Sequence, residues 1–213
     1  MRRVRVKVCG ITRLEDALVA VEAGVDAVGF VFYEGSPRFV PPETAREIAR
    51  NLPPLVCRVG VFVNAPRKIV ARTAERVGLT ALQFHGNETG DYCEGWNLPV
   101  IKAFRVGPEF SPEEIEPFAS ACAILLDGYH PHLFGGSGVR ADWGMARRLA
   151  RIRPLILAGG LDPANVAEAI RTVRPYGVDV SSGVEIRPGQ KDPERVRMFM
   201  REVHRACESL EEE

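Results

Sequence analysis

Val4-Arg5-Val6-Lys7-Val8-Cys9-Gly10 carries a period-two pattern, with three valines on one side and Arg5, Lys7 and Cys9 on the other. Strand side chains alternate between faces, so this stretch reads as a β-strand whose valine face needs a covering layer of helices. The opposite face bears a cation and a thiol, which an ordinary apolar core would not select. Gly10-Ile11-Thr12 turns the chain, and Leu14 to Ala23 has helical periodicity. A thiol at the C-terminal end of a strand that feeds a helix is well placed for chemistry in an α/β protein. The competing reading is a buried cysteine acting as a small apolar residue.

The same unit recurs outward from this strand. Ala27 to Phe32 is a continuous apolar run of the kind found in parallel strands buried on both faces. The loop Tyr33 to Val40 follows, and Pro41-Pro42-Glu43 opens a helix to about Asn51. Leu55 to Val63 is the third strand, followed by a helix from Pro66 to about Val77. Thr80 to Phe84 is the fourth strand, ending at His85-Gly86-Asn87-Glu88, with a weak helix to about Glu94. Pro99 to Phe104 is the fifth. Ser111-Pro112-Glu113-Glu114 is a strong helix start, with an N-cap serine, proline at the first position and glutamate three residues beyond the cap. Ala121 to Leu126 is the sixth strand, closed by Asp127, and the loop Gly128 to Arg140 contains Gly135-Gly136-Ser137-Gly138. Asp142 caps a helix to about Arg151. Leu155 to Leu157 is the seventh strand, and Asp162-Pro163 opens a helix to about Val173. Gly177 to Val180 is the eighth, and Asp192-Pro193-Glu194 caps a last helix to about Cys207, with an acidic end, Glu208 to Glu213, expected to fray.

Eight strand-then-helix units at roughly 25-residue spacing predict a single-domain (β/α)8, or TIM, barrel spanning residues 1–213. An open doubly wound sheet is the alternative. It is disfavoured because special residues follow nearly every strand, and a closed barrel gathers all eight loops on one face.

Hydrophobic residues make up 46% of the 213-residue chain and charged residues 26%, proportions of a water-soluble globular protein. The formal net charge is zero, which gives no electrostatic basis for binding nucleic acid or a membrane surface. No apolar run approaches the ~18 residues of a membrane span, and the basic N-terminus enters a strand without the apolar region of a signal peptide. Cys9, Cys57, Cys93, Cys122 and Cys207 are dispersed, with no spacing suited to a metal. An odd, scattered set fits a reducing cytoplasm.

In a barrel, residues at the C-terminal strand ends converge. Here they are Cys9, Arg38, His85, Asp127, Gly159-Gly160, and Asp179 with Ser181-Ser182-Gly183. The two glycine-containing segments follow strands seven and eight, where barrels often bind phosphate through backbone N–H groups. Cys9 and Asp127 across the mouth would form an acid/base pair that needs no metal. Asp127 reads otherwise as a helix cap or a solvated loop residue. Arg38 would hold a substrate carboxylate by a bidentate contact, or else form a surface ion pair. His85 is either a site residue or a histidine hydrogen-bonded beneath the loops.

Six blocks in order resemble phosphoribosylanthranilate isomerases of tryptophan biosynthesis. They are Lys7 to Thr12; Gly29 to Phe32 with Ser36-Pro37-Arg38; Gln83 to Gly86; Gly135 to Gly138 with Asp142-Trp143; Leu157 to Leu161; and Asp179 to Glu185. Each block alone is weak, but their joint order and spacing are specific and span essentially the whole chain. The resemblance implies an Amadori rearrangement with Cys9 as general base and Asp127 as general acid, without cofactor or metal. It further implies that Lys7, Arg38, His85 and Asp179 bind the substrate and that Gly159, Gly160, Ser182 and Gly183 hold its phosphate. The partner would be a small phosphoribosyl molecule, and the protein a cytoplasmic monomer or homodimer.

Two physical demands follow. A thiol of ordinary pKa, ~8.5, is a weak base at neutral pH unless cations lower it, and Lys7 is placed to do so. A solvated aspartate is ionised at neutral pH, so Asp127 as an acid calls for a partly desolvated site, under a loop from Tyr129 to Gly138 closing over substrate. The rival readings are another phosphosugar enzyme on the same barrel and a non-catalytic phosphate-ligand binder. Cys9 argues against a bifunctional isomerase of the histidine and tryptophan pathways, which pairs two aspartates at strands one and six. A binder would need the phosphate loops but neither Cys9 nor Asp127.

Overall fold

The computed structural model describes residues 3–107, 109–128 and 142–210, and in it eight parallel strands close into a barrel in chain order. They are β1 (Arg5–Cys9), β2 (Ala27–Val31), β3 (Cys57–Phe62), β4 (Ala81–Phe84), β5 (Val100–Val106), β6 (Ala123–Gly128), β7 (Leu155–Leu157) and β8 (Gly177–Val180). Pairing of β8 with β1 closes the ring, with Lys7 opposite Asp179 and Val8 opposite Val180. Around it lie α1 (Leu14–Glu22), α2 (Pro42–Arg50), α3 (Arg67–Val77), α4 (Gly90–Cys93), α5 (Trp143–Ala150), α6 (Val166–Val173) and α7 (Pro193–Ser209). Between β5 and β6 the crossover is a 3₁₀ helix, Pro112–Phe118.

The period-two pattern of the strands builds two separate cores. Val6, Val8, Val28, Phe30, Leu82, Phe84, Ile124 and Leu126 belong to the outer core, between sheet and helices. Val59, Ala81, Ile101, Ala103, Ala123, Leu125, Ile156 and Ala158 fill the barrel itself. Cys9, Val31 and Val61 form a third small cluster near the mouth, with Tyr33 against it. Buried polar side chains, among them Gln83, His85, Asp127 and Asp179, border the mouth beside this cluster.

Several elements depart from the sequence reading. The third strand begins at Cys57, which pairs with Ala27, and Leu55 stands outside the sheet at 95% exposure. The Ser111 capping box forms as expected, but Pro117 inside the helix lacks the N–H of an α-helical bond and the segment winds as 3₁₀. Asp162 caps a turn, its Oδ1 accepting from the N–H groups of Ala164 and Asn165, and the α-helix starts at Val166. After β8 comes a hairpin that periodicity did not reveal, β9 (Glu185–Arg187) and β10 (Gln190–Lys191). The last helix continues past Cys207 to Ser209, and residues 211–213 of the acidic end lie outside the described residues. The expected closing loop, 129–138, also lies outside them.

Candidate active site

One cavity opens at the C-terminal mouth of the barrel, and Cys9, Arg38, His85, Asp127 and Asp179 all border it. Each arrives from a different strand or strand end, as the period-two register dictates. Cys9 is the last residue of β1 and pairs with Gly29 of β2. A Cβ at Gly29 would lie 2.7 Å from Cys9 Sγ and 3.1 Å from Lys7 Cε, so glycine in this strand makes the space the thiol occupies. Gly10, next in the chain, turns with φ +77°, which disfavours a side chain.

Lys7 Nζ donates to Asp179 Oδ1 at 2.9 Å, both side chains buried. Burial works against the ammonium, but the charges of Asp179 and Cys9 outweigh it and the Lys7 pKa is raised. Lys7 does pull the Cys9 pKa down, as the sequence suggested. Burial is the larger effect, however, and the thiol ends above its ordinary value. The lowering expected of Lys7 is therefore present, but it is smaller than the effect of burial.

Asp127 stands on β6, three positions around the ring from β1. Its side chain is 5% exposed, meeting the expectation of a desolvated carboxyl. Asp127 Oδ1 accepts from the Gly128 N–H at 2.8 Å, and Oδ2 lies 3.4 Å from His85 Nε2. The other ring nitrogen, His85 Nδ1, is 3.0 Å from Gln83 Nε2. Gln83 is 1% exposed and reaches the cavity from within the barrel.

Arg38 is not at the surface. Its Nε donates to Glu185 Oε1 at 2.9 Å and its Nη2 to Glu185 Oε2 at 2.7 Å. Nη1 makes no hydrogen bond among the described residues. Glu185 Oε1 also accepts from Lys191 Nζ at 2.8 Å, and that ammonium donates in turn to the Cys9 carbonyl at 2.6 Å. Burial raises the Glu185 pKa, but Arg38 and Lys191 together bring it below the usual carboxylate range. Nothing in the sequence pattern marks a role for Glu185 or Lys191. The hairpin that brings them under the mouth has only a short turn, with Gly189 at φ +80°, as its local signal.

Gly159 and Gly160, both at positive φ, border the cavity together with Ser182. Asn165 Nδ2 donates to the Gly160 carbonyl at 2.8 Å and fixes this loop. Gly183 does not border the cavity. Its α-carbon packs on the Leu161 carbonyl, where a Cβ would clash, so it brings the loops after β7 and β8 together.

Buried titratable side chains gathered at one mouth of a closed parallel barrel define the class, a (β/α)8-barrel enzyme with its candidate site at the C-terminal face. Residues 6–202 match the family model described as N-(5′phosphoribosyl)anthranilate (PRA) isomerase. The chain is 54% identical over 198 residues to the N-(5′-phosphoribosyl)anthranilate isomerase of Geobacter sulfurreducens, covering 93% of this chain and 97% of that one. With the same-named protein of Pseudomonas fluorescens it shares 51% identity, covering 95% and 100% of the two chains. The crystal structure of phosphoribosyl anthranilate isomerase from Thermotoga maritima superposes with a TM-score of 0.88 at 46% identity, over 94% of this chain and 98% of that one. The chain belongs to the N-(5′-phosphoribosyl)anthranilate isomerase family.

Proposed function

We propose the residue roles by which this family member carries out the Amadori rearrangement of N-(5-phospho-β-D-ribosyl)anthranilate to 1-(o-carboxyphenylamino)-1-deoxyribulose 5-phosphate in tryptophan biosynthesis. A relative of 45% identity has been crystallised with the reduced form of that product, which fits a small phosphoribosyl ligand at the mouth. The observation that carries the assignment is the burial of Cys9 and Asp127 at one cavity, on strands β1 and β6.

Asp127 is the general acid. It gives its proton to the ribose ring oxygen as the C1′–O bond breaks, and the nitrogen lone pair forms a C1′=N Schiff-base cation. Cys9, as thiolate, then removes the C2′ proton. The C–H electrons form a C1′=C2′ bond and the C=N electrons return to nitrogen, giving an enolamine. A proton added at C1′ and lost from the C2′ hydroxyl completes the ketone, so no external oxidant or reductant is needed. The Schiff-base cation formed beside Cys9, like the Lys7 ammonium, stabilises the thiolate that takes the C2′ proton.

Arg38, fixed by Glu185 with Nη1 uncommitted, is our choice for the anthranilate carboxylate. Asp179 Oδ2 makes no hydrogen bond among the described residues and is assigned to the sugar hydroxyls, while Lys7 neutralises that carboxylate from behind. The loop at Gly159-Gly160 with Ser182 holds the phosphate, and Gly183 supports it. A cytoplasmic location is supported by five cysteines that are all free.

Freshly made phosphoribosylanthranilate loses its anthranilate fluorescence on turnover. The parent protein is expected to show that loss, and Cys9→Ala and Asp127→Asn to abolish it. Turnover surviving in both variants would discard this mechanism. A parent that binds phosphosugars without turnover would instead mark a binder.

A further inference from the structure

Gln83 and His85 share a relationship that the acid–base scheme does not use. Gln83 lies inside the barrel on β4, paired with Val61 on one side and Ile101 on the other. His85 follows at the strand end, its backbone N–H bonded to the Phe62 carbonyl at 2.8 Å. Both backbones are thus anchored by the sheet.

The amide nitrogen of Gln83 faces His85 Nδ1 at 3.0 Å. An amide nitrogen donates and does not accept, so in this arrangement Nδ1 is the acceptor. A neutral imidazole then carries its proton on Nε2. That nitrogen lies 3.4 Å from Asp127 Oδ2, longer than a formed hydrogen bond. Catalytic contacts are often long before the substrate is bound. Gln83 Oε1 and His85 Nε2 are both buried with no hydrogen-bond partner among the described residues, and both residues border the cavity.

We propose that Gln83 is a positioning residue that holds His85 in its Nε2–H tautomer, aimed at the carboxyl of Asp127. The inference rests on the reading of Asp127 as the acid. Once Asp127 has given its proton to the sugar ring oxygen, its Oδ2 carries new negative charge at a buried position. A waiting Nε2–H meets that charge. The opposite tautomer would set a lone pair against the carboxylate and an N–H against the Gln83 amide. A donor already oriented costs no reorganisation when the charge appears.

Long-range ¹H–¹⁵N spectra of labelled protein test this directly, because the chain has only four histidines, His85, His130, His132 and His204. His85 is assigned by its disappearance in His85→Asn. The parent is expected to show the His85 ring with its proton on Nε2 and none on Nδ1. Gln83→Met should mix the two tautomers. It should also lower kcat roughly 10–100-fold with little change in KM, part of the ~10²–10⁴ that acid–base catalysis contributes. Gln83→Glu, isosteric and able to accept from Nδ1–H, should drive His85 to the Nδ1–H or doubly protonated form, and it decides the matter if the Met variant does not fold. An Nδ1–H signal in the parent overturns the proposal, as does an unchanged Nε2–H signal in the variants. A parent with the expected tautomer but no turnover would sink the reaction and leave the tautomer assignment standing.

Discussion

Lys7 and Asp179 meet 2.9 Å apart on the two strands whose pairing closes the barrel. The pair stands directly below the Cys9 thiol and divides the apolar filling from the polar mouth. It pairs a carboxylate that borders the cavity, and it keeps a cation beside the thiol.

Lys7→Met should remove both effects. Breaking a buried pair by deleting one partner costs ~3–5 kcal/mol, read as a lower urea midpoint. The charged groups acting on the thiol are Lys7 and Lys191, which lower its pKa, and Asp179, which raises it. Loss of Lys7 therefore shifts the thiol further up, and the rising limb of the kcat/KM profile should move to higher pH. An unmoved limb would show that Lys7 does not govern the base.

Gly29→Ala places a methyl 2.7 Å from Cys9 Sγ. Overpacking of this kind costs about 1–3 kcal/mol, and here the thiol is the group that must shift. The expected result is a larger loss in kcat than in thermal stability. Full activity in this variant would mean that the position of the thiol is not critical.

Glu185 gives a pH signature. Its pKa is lowered in the folded protein, so its contribution to stability is fully present above the unfolded value of ~4.3 and is lost as pH falls through the folded value. Denaturation midpoints of the parent should fall over that acid range. In Glu185→Gln that part of the slope should vanish, with stability at neutral pH lower by ~3–5 kcal/mol for the uncompensated Arg38 and Lys191. KM should also rise, because Arg38 loses its anchor.

Cys9→Ser keeps the size of the side chain but replaces the thiol with a far weaker acid. A rate loss of ~10²–10⁴ is expected with the circular dichroism spectrum unchanged. A serine variant with parental kcat would remove Cys9 as the base.

Much of this was legible along the chain, and the reason is local. The alternation in Val4 to Cys9 and the continuous run Ala27 to Phe32 set the strands, and proline, glycine and capping residues marked most helix limits. The residues at strand ends then identified the mouth, because a closed barrel converges them whatever the loops do. The errors fell where a partner distant in sequence decides. Leu55 looks like strand but finds no neighbour beyond the Ala27–Cys57 pair. The β9–β10 hairpin is too short to show a period, and its ion pairs span 147 residues from Arg38 to Glu185.

The sequence by itself determined the barrel, the family resemblance, and the presence of a thiol and a carboxyl at the ends of β1 and β6. Only the tertiary structure decided the electrostatic surroundings of the thiol. The pKa of Cys9 is raised by burial and by Asp179 and lowered by Lys7 and Lys191, and burial is a property of the assembled mouth. The same holds for Arg38, whose partner Glu185 arrives from the far end of the chain, and for Gln83, whose amide meets His85 beside Asp127 of β6. Alternation and capping act over a few residues, whereas desolvation and charge pairing depend on which distant side chains the closed barrel brings within a few ångströms.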